Sequence, residues 1–258
     1  MIDTHSHLLA QVDDGARDEL EMLRMCRLAR GDGITSIVAT PHSLNGTSLA
    51  TPGKIRTLIT NLAERLASSD IDIDVLPGME VRVSADLLQR LELHQILSLN
   101  DGKYLLLEFH YADIPTGFEN LVRNLVEFGF RAILAHPEKN LAIQAAPEYV
   151  YKLLKLFKPW DLLVQITADG LSGAAGLPAS RIAKMLLRNN LVHLIATDAH
   201  SPEIRPPILS EAVKNAARIV GEDSSLKMVQ DIPRAILTGS PFPEYWPPQN
   251  PRRWWRIL

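Results

Sequence analysis

The chain has 258 residues, 46% of them hydrophobic and 22% charged, with a formal net charge of −3. That length suits one substantial core, and a slightly acidic balance argues against nucleic acid as a partner, since DNA-binding domains are usually basic. The single cysteine, Cys26, excludes an internal disulfide and fits a reducing, cytoplasmic setting.

Asp3, His5 and His7 interrupt any early apolar stretch, so no signal peptide is expected. No run reaches the roughly 20 apolar residues of a transmembrane segment. In chain order, apolar runs then alternate with amphipathic patterns. Residues 2–7 form the first strand candidate, and Asp13-Asp14-Gly15 follows in a loop. Asp18 is placed to cap a helix through Leu20, Leu23 and Cys26 that stops near Gly31 and Gly33. Residues 36–42 give a second strand, and Ile55, Leu58, Ile59, Leu62 and Leu66 recur at helical spacing. Strands over 75–80 and 105–108 precede a helix carrying Leu121, Val122, Leu125 and Val126. Strands over 132–136, 162–166 and 194–198 bring the count to about seven, before a last helix with Ile208, Leu209, Ala212, Val213 and Ala216.

Such alternation predicts a parallel α/β sheet. A barrel is preferred to an open sheet, because polar residues end nearly every strand rather than gathering at one switch point. Residues 1–240 are read as this barrel. Residues 241–258 are a Pro/Trp/Arg-rich tail, either wrapped over the barrel or docking its Arg252–Arg256 segment on a membrane surface or partner.

The strand ends carry the chemistry. His5 and His7 are two apart, so on a strand they face the same side. His42 and His136 each adjoin a proline that stiffens a strand exit, Glu80 and Glu108 close apolar runs, and Asp198 and His200 again share a side. With Asp14, or its neighbour Asp13, these make five imidazoles and four carboxylates. One zinc takes three or four ligands, so nine point to several metals. A donor set of nitrogen and oxygen without thiolate suits manganese, iron or zinc. Three divalent ions against four carboxylates leave two positive charges, complementary to a dianionic phosphate monoester. A metal-bound hydroxide is then the expected nucleophile at phosphorus. His94, His110 and His193 are read as bystanders, and Cys26 as an embedded helix residue rather than a nucleophile.

The motifs at 2–7, 13–15, 39–42, 77–82, 135–138 and 198–200 together resemble the polymerase-and-histidinol-phosphatase (PHP) superfamily. Within it they resemble the manganese-dependent bacterial protein-tyrosine phosphatases of capsule and exopolysaccharide synthesis. The resemblance runs from residue 2 to about residue 240. It implies a distorted seven-stranded (β/α) barrel with three Mn²⁺ ions, iron or zinc being the other options. His5, His7, Glu80 and Asp198 would hold one ion, Glu80 bridging to a second on Glu108 and His136. Asp14, His42 and His200 would hold the third, with Asp14 chosen over Asp13 on the family pattern alone.

It also implies Arg205 as a phosphate-binding catalytic residue, and Lys139 beside it where the family usually carries arginine. The implied substrate is a phosphotyrosine protein, the tail of a bacterial tyrosine autokinase. A ring-shaped homo-oligomer is an open option. Arg82 is a weaker candidate for the site. Two competing readings stand beside the tyrosine phosphatase: a small-molecule phosphomonoesterase of the histidinol-phosphatase kind, and a non-catalytic metal-binding regulatory module. A metal amidohydrolase fits less well, because those sites usually hold fewer metals and a carbamylated lysine.

Overall fold

A computed structural model describes residues 1–43 and 50–250 of the chain. Among the described residues are eight strands, with helices between all but β3 and β4: β1 (Ile2–Ser6), β2 (Ser36–Ala39), β3 (Asp74–Pro77), β4 (Glu80–Arg82), β5 (Tyr104–Glu108), β6 (Arg131–Ala135), β7 (Leu162–Thr167) and β8 (Leu194–Ala196). All pairings are parallel, and they form two sheets, β1-β2-β3 and β4-β5-β6-β7-β8.

The α/β class with parallel sheets is as expected, but the ladders do not close one seven-stranded barrel. The predicted strand over 75–80 divides at Gly78 and Met79, so its first half joins one sheet and its second half the other. Gly78 explains the division: a Cβ there would lie 2.7 Å from Val38 Cγ1 and 3.0 Å from Leu99 Cδ2, so the chain crosses the packed core where no side chain fits. Single bridges, Ser6 with Ala199 and His42 with Glu80, span the two seams.

Central strands are buried on both faces, as parallel strands covered by helices must be; every residue of β5 and β7 is buried. The helix Glu19–Gly31 starts where Asp18 accepts from Glu21 N, and it ends at Asp32 just before the left-handed Gly33. The helix Pro52–Ser68, capped by Thr51, buries Ile55, Leu62 and Leu66, and Phe118–Glu127 buries Phe118, Val122 and Leu125. These faces match the 3.6-residue spacing read from the sequence.

At the N-terminal ends of the strands, Phe242 stacks on Trp160 with centroids 4.4 Å apart, Trp246 Nε1 donates to Val192 O, and Gln249 N donates to Asn189 O. The Arg252–Arg256 segment lies outside the described residues. Among the described residues, no helix is long and apolar enough to cross a membrane.

Candidate metal centre

The nine sequence-predicted ligands come together at the opposite, C-terminal ends of the strands. Their donor atoms fall into four overlapping groups, each with all its atoms within 4.8 Å of one another: His7, Asp14, His42 and His200; His5, His7 and Glu80; His5, His136 and Asp198; His42, Glu80 and Glu108. Glu80 lies at the middle. Its oxygens are 3.4 Å from His5 Nε2, 3.3 Å from His7 Nε2, 2.9 Å from His42 Nδ1 and 2.6 Å from His136 Nε2. The groups divide the nine differently from the expected partition, because His136 sits with His5 and Asp198 rather than with Glu108, and His42 faces both ends of the cluster.

Neighbouring acceptors fix which nitrogen three of the imidazoles offer. His7 Nδ1 is 2.7 Å from Asp13 Oδ2, His5 Nδ1 is 3.3 Å from Gln165 Oε1, and His200 Nδ1 donates to Asp198 O at 2.9 Å. A proton on each Nδ1 leaves the Nε2 lone pair aimed into the cluster. The Nε2 atoms of His5 and His7 then face each other at 3.3 Å, a pair of acceptors that a metal ion or a shared proton would reconcile. This donor set fits divalent metals.

Adjacent acids are told apart by geometry. Asp13 is 2% exposed and spent on His7 Nδ1 and on His42 N, whereas Asp14 is 66% exposed with Oδ1 at 3.5 Å from both His42 Nε2 and His200 Nε2. Gly15 lets that loop close over the site, since a Cβ there would lie 1.9 Å from His7 O.

Carboxylates and imidazoles shift one another's protonation across the cluster. Burial alone would raise Glu80, but His5, His136 and His42 hold its carboxyl well below the usual range. Asp198 is likewise held well down, burial being outweighed by His5, Lys139, His7 and Arg205. Burial disfavours the His42 cation, yet Glu108 and Glu80 lift it to about 10; Asp13, Asp198 and Glu80 similarly overcome burial at His7 and raise it well above its normal value. A divalent ion would displace such protons. Two of the expected ligands also sit in left-handed backbone, His136 at φ 31° and Asp198 at φ 52°. That conformation costs about 1–3 kcal/mol and gathers at functional sites.

A cavity of about 270 Å³ opens over the cluster, with Arg82, His110, Tyr111, Lys139, Asn140 and Arg205 on its walls. Lys139 Nζ is 3.0 Å from Asp198 Oδ2, and Arg205 Nη2 meets the same oxygen. Arg82 donates from Nε to Glu108 at 2.8 Å, so it orients an expected ligand. His94 and His110 stand outside the four donor groups, and His193 is buried at the far end of the strands, accepting from Val164 N at Nδ1.

Sequence reasoning missed the residues that hold the cluster in place. Asp3 accepts from Thr197 N and Oγ1, tying β1 to the exit of β8, and burial pushes its carboxyl up to about 6 against those hydrogen bonds. Gln165 faces His5 Nδ1 and Glu138 accepts from Thr167 N and Oγ1, and nothing beside either in the sequence marks these roles. Asp169 had a visible signal, an acid two residues beyond the end of β7, and it binds Lys139 Nζ at 2.8 Å.

Comparison with known proteins gives the family of the chain. The family model described as capsular polysaccharide synthesis, CpsB/CapC, matches residues 1–238. The tyrosine-protein phosphatase YwqE of Bacillus subtilis is 34% identical over 98% of this chain and 97% of its own length. The tyrosine-protein phosphatase CpsB of Streptococcus agalactiae is 28% identical over 92% and 98%. A solved structure from work on YwqE from Bacillus subtilis and CpsB from Streptococcus pneumoniae, described there as unique metal-dependent tyrosine phosphatases, superposes with a TM-score of 0.91 at 34% identity. It covers 97% of this chain and 99% of that one. The chain belongs to the CpsB/CapC family of capsular polysaccharide synthesis.

Proposed function

We propose that the protein is a metal-dependent protein-tyrosine phosphatase, a phosphoric monoester hydrolase acting on phosphotyrosine in protein. The observation that carries this reading is the convergence of all nine ligand-type residues under one cavity walled by Lys139 and Arg205. His5, His7, Asp14, His42, Glu80, Glu108, His136, Asp198 and His200 would hold up to three divalent ions, Mn²⁺ first among them. Glu80 is suited to bridge, since it faces four imidazoles. Bound there, the ions would supply an activated water nucleophile and offset charge on phosphorus.

The chain's own residues do the rest. Lys139 and Arg205 bind and orient the phosphate, Arg205 with its two-pronged guanidinium and Lys139 with a point charge. Asp13 and Gln165 fix the tautomers of His7 and His5, and Arg82 steadies Glu108. The family's tie to capsular polysaccharide synthesis supports a tyrosine autokinase of that machinery as the substrate protein, met in the cytoplasm. The same reading takes residues 1–240 as the phosphatase domain and residues 241–258 as its tail. It treats the two sheets as one distorted barrel with weak seams, which the bridges Ser6–Ala199 and His42–Glu80 support.

The test is phosphate release from a phosphotyrosine peptide and from histidinol phosphate by Mn²⁺-loaded protein. Faster turnover of the peptide is expected. Preference for histidinol phosphate would transfer the site to small phosphomonoesters.

A further inference from the structure

Asp169 is outside the nine donors and absent from the described residues that line the cavity. It is the second residue of the short helix Ala168–Ser172, directly after β7. Its Oδ2 receives Lys139 Nζ at 2.8 Å and lies 3.8 Å from Arg205 Nε, while its Oδ1 accepts from Gly170 N at 2.8 Å. Asp198 touches the same two cations from the cluster side, so acids and bases alternate around a ring of four: Asp169, Lys139, Asp198, Arg205.

The corner that carries Asp169 is itself locked to the strand of chain that carries Lys139. Glu138 Oε1 accepts from Thr167 N at 2.8 Å and Oγ1 at 2.7 Å. A Cβ on Gly170 would lie 2.7 Å from that same Glu138 oxygen, so the two segments meet too closely for any other residue. Residues 138 and 139 are thus clasped to residues 167 and 169 by adjacent contacts.

Two cations side by side repel, and a half-buried lysine on a flexible stem has no fork to fix its direction. Once Asp198 is engaged as a ligand, Asp169 is the carboxylate left to hold both. We infer that Asp169 is a positioning residue for the substrate phosphate, keeping Lys139 and Arg205 parallel and aimed into the cavity. This rests on the proposed role of those two cations.

In the Mn²⁺-loaded full chain, Asp169→Asn is expected to raise KM for a phosphotyrosine peptide about tenfold while kcat changes by less than about threefold. The calorimetric Kd for inorganic phosphate should weaken by a similar factor, with bound metal unchanged by elemental analysis. In a Lys139→Met background the same change should have a clearly smaller effect than in wild type, because the closer of its two cations is gone and only the 3.8 Å contact to Arg205 remains. Asp169→Ser, which still caps Gly170 N, replaces the variant if Asn does not fold.

Unchanged KM and phosphate Kd would overturn the inference. So would a full effect in the Lys139→Met background, or a fall in kcat that follows lost metal at constant KM. If wild type binds phosphate yet hydrolyses no phosphotyrosine peptide, the functional reading fails, and the phosphate Kd of the variants still decides the role of Asp169.

Discussion

His7 and His193 are both buried, at opposite ends of the parallel strands, and they are driven in opposite directions. Around His193 lie Trp160, Tyr245 and Trp246, and burial alone pushes the imidazole down to about 3, neutral at any physiological pH. His7 meets Asp13, Glu80 and Asp198, which outweigh an equal burial and raise it well above its normal value. Burial therefore does not make a histidine functional; the carboxylates that accompany it do. The aromatic end closes the fold, and the carboxylate end concentrates charge that needs a cation.

The largest effect should come from breaking the charged end at its centre. Glu80→Gln removes the full negative charge that faces four imidazoles at once, and phosphatase activity is expected to fall roughly 10³-fold or more with loss of bound metal. Retained metal with retained activity would show that Glu80 is not central.

Asp13→Asn should be milder. It leaves His7 in place but offers Nδ1 an amide that can turn its donor toward the ring, so metal affinity is expected to drop about 10–100-fold. Titration of the chelated protein with Mn²⁺ reads this directly.

His193→Asn tests the apolar end, where Asn keeps an acceptor for Val164 N. Below pH 6.5 an unfolded chain takes up a proton here that the folded chain refuses until about pH 3. Stability from this group is thus complete above pH 6.5 and declines as pH falls, by about 2 kcal/mol between pH 7 and pH 5. Urea unfolding at those two pH values should show a wild-type and a variant pH dependence that differ by about that amount, the raised His7 and His42 contributing equally to both. Smallest of all, Trp246→Phe forfeits the hydrogen bond to Val192 O and should cost about 1 kcal/mol without changing kcat.

The contrast also explains what could be read from residue order. Strand ends announce themselves because an apolar run stops at His, Glu or Asp, and a parallel fold gathers those ends whatever the side chains are. His193 was separable for the same reason, since it precedes its strand. The division at Gly78 was not legible, because it depends on how close Val38 and Leu99 approach from elsewhere in the chain. Nor was the choice between Asp13 and Asp14, which turns on a loop closing over His7 O. Asp169 was passed over because Thr167 and Ala168 stand between it and the apolar run of β7, whereas Glu80 follows its run directly.

The central claim is that the convergent histidines and carboxylates are a metal centre on which hydrolysis depends. Chelated protein should be titrated with Mn²⁺ while bound metal and phosphate release from a phosphotyrosine peptide are measured on the same samples. The account predicts no turnover without metal, and activity that rises only as more than one ion per chain is bound. Equal activity in the chelated protein, or full metal occupancy with no turnover, would contradict it.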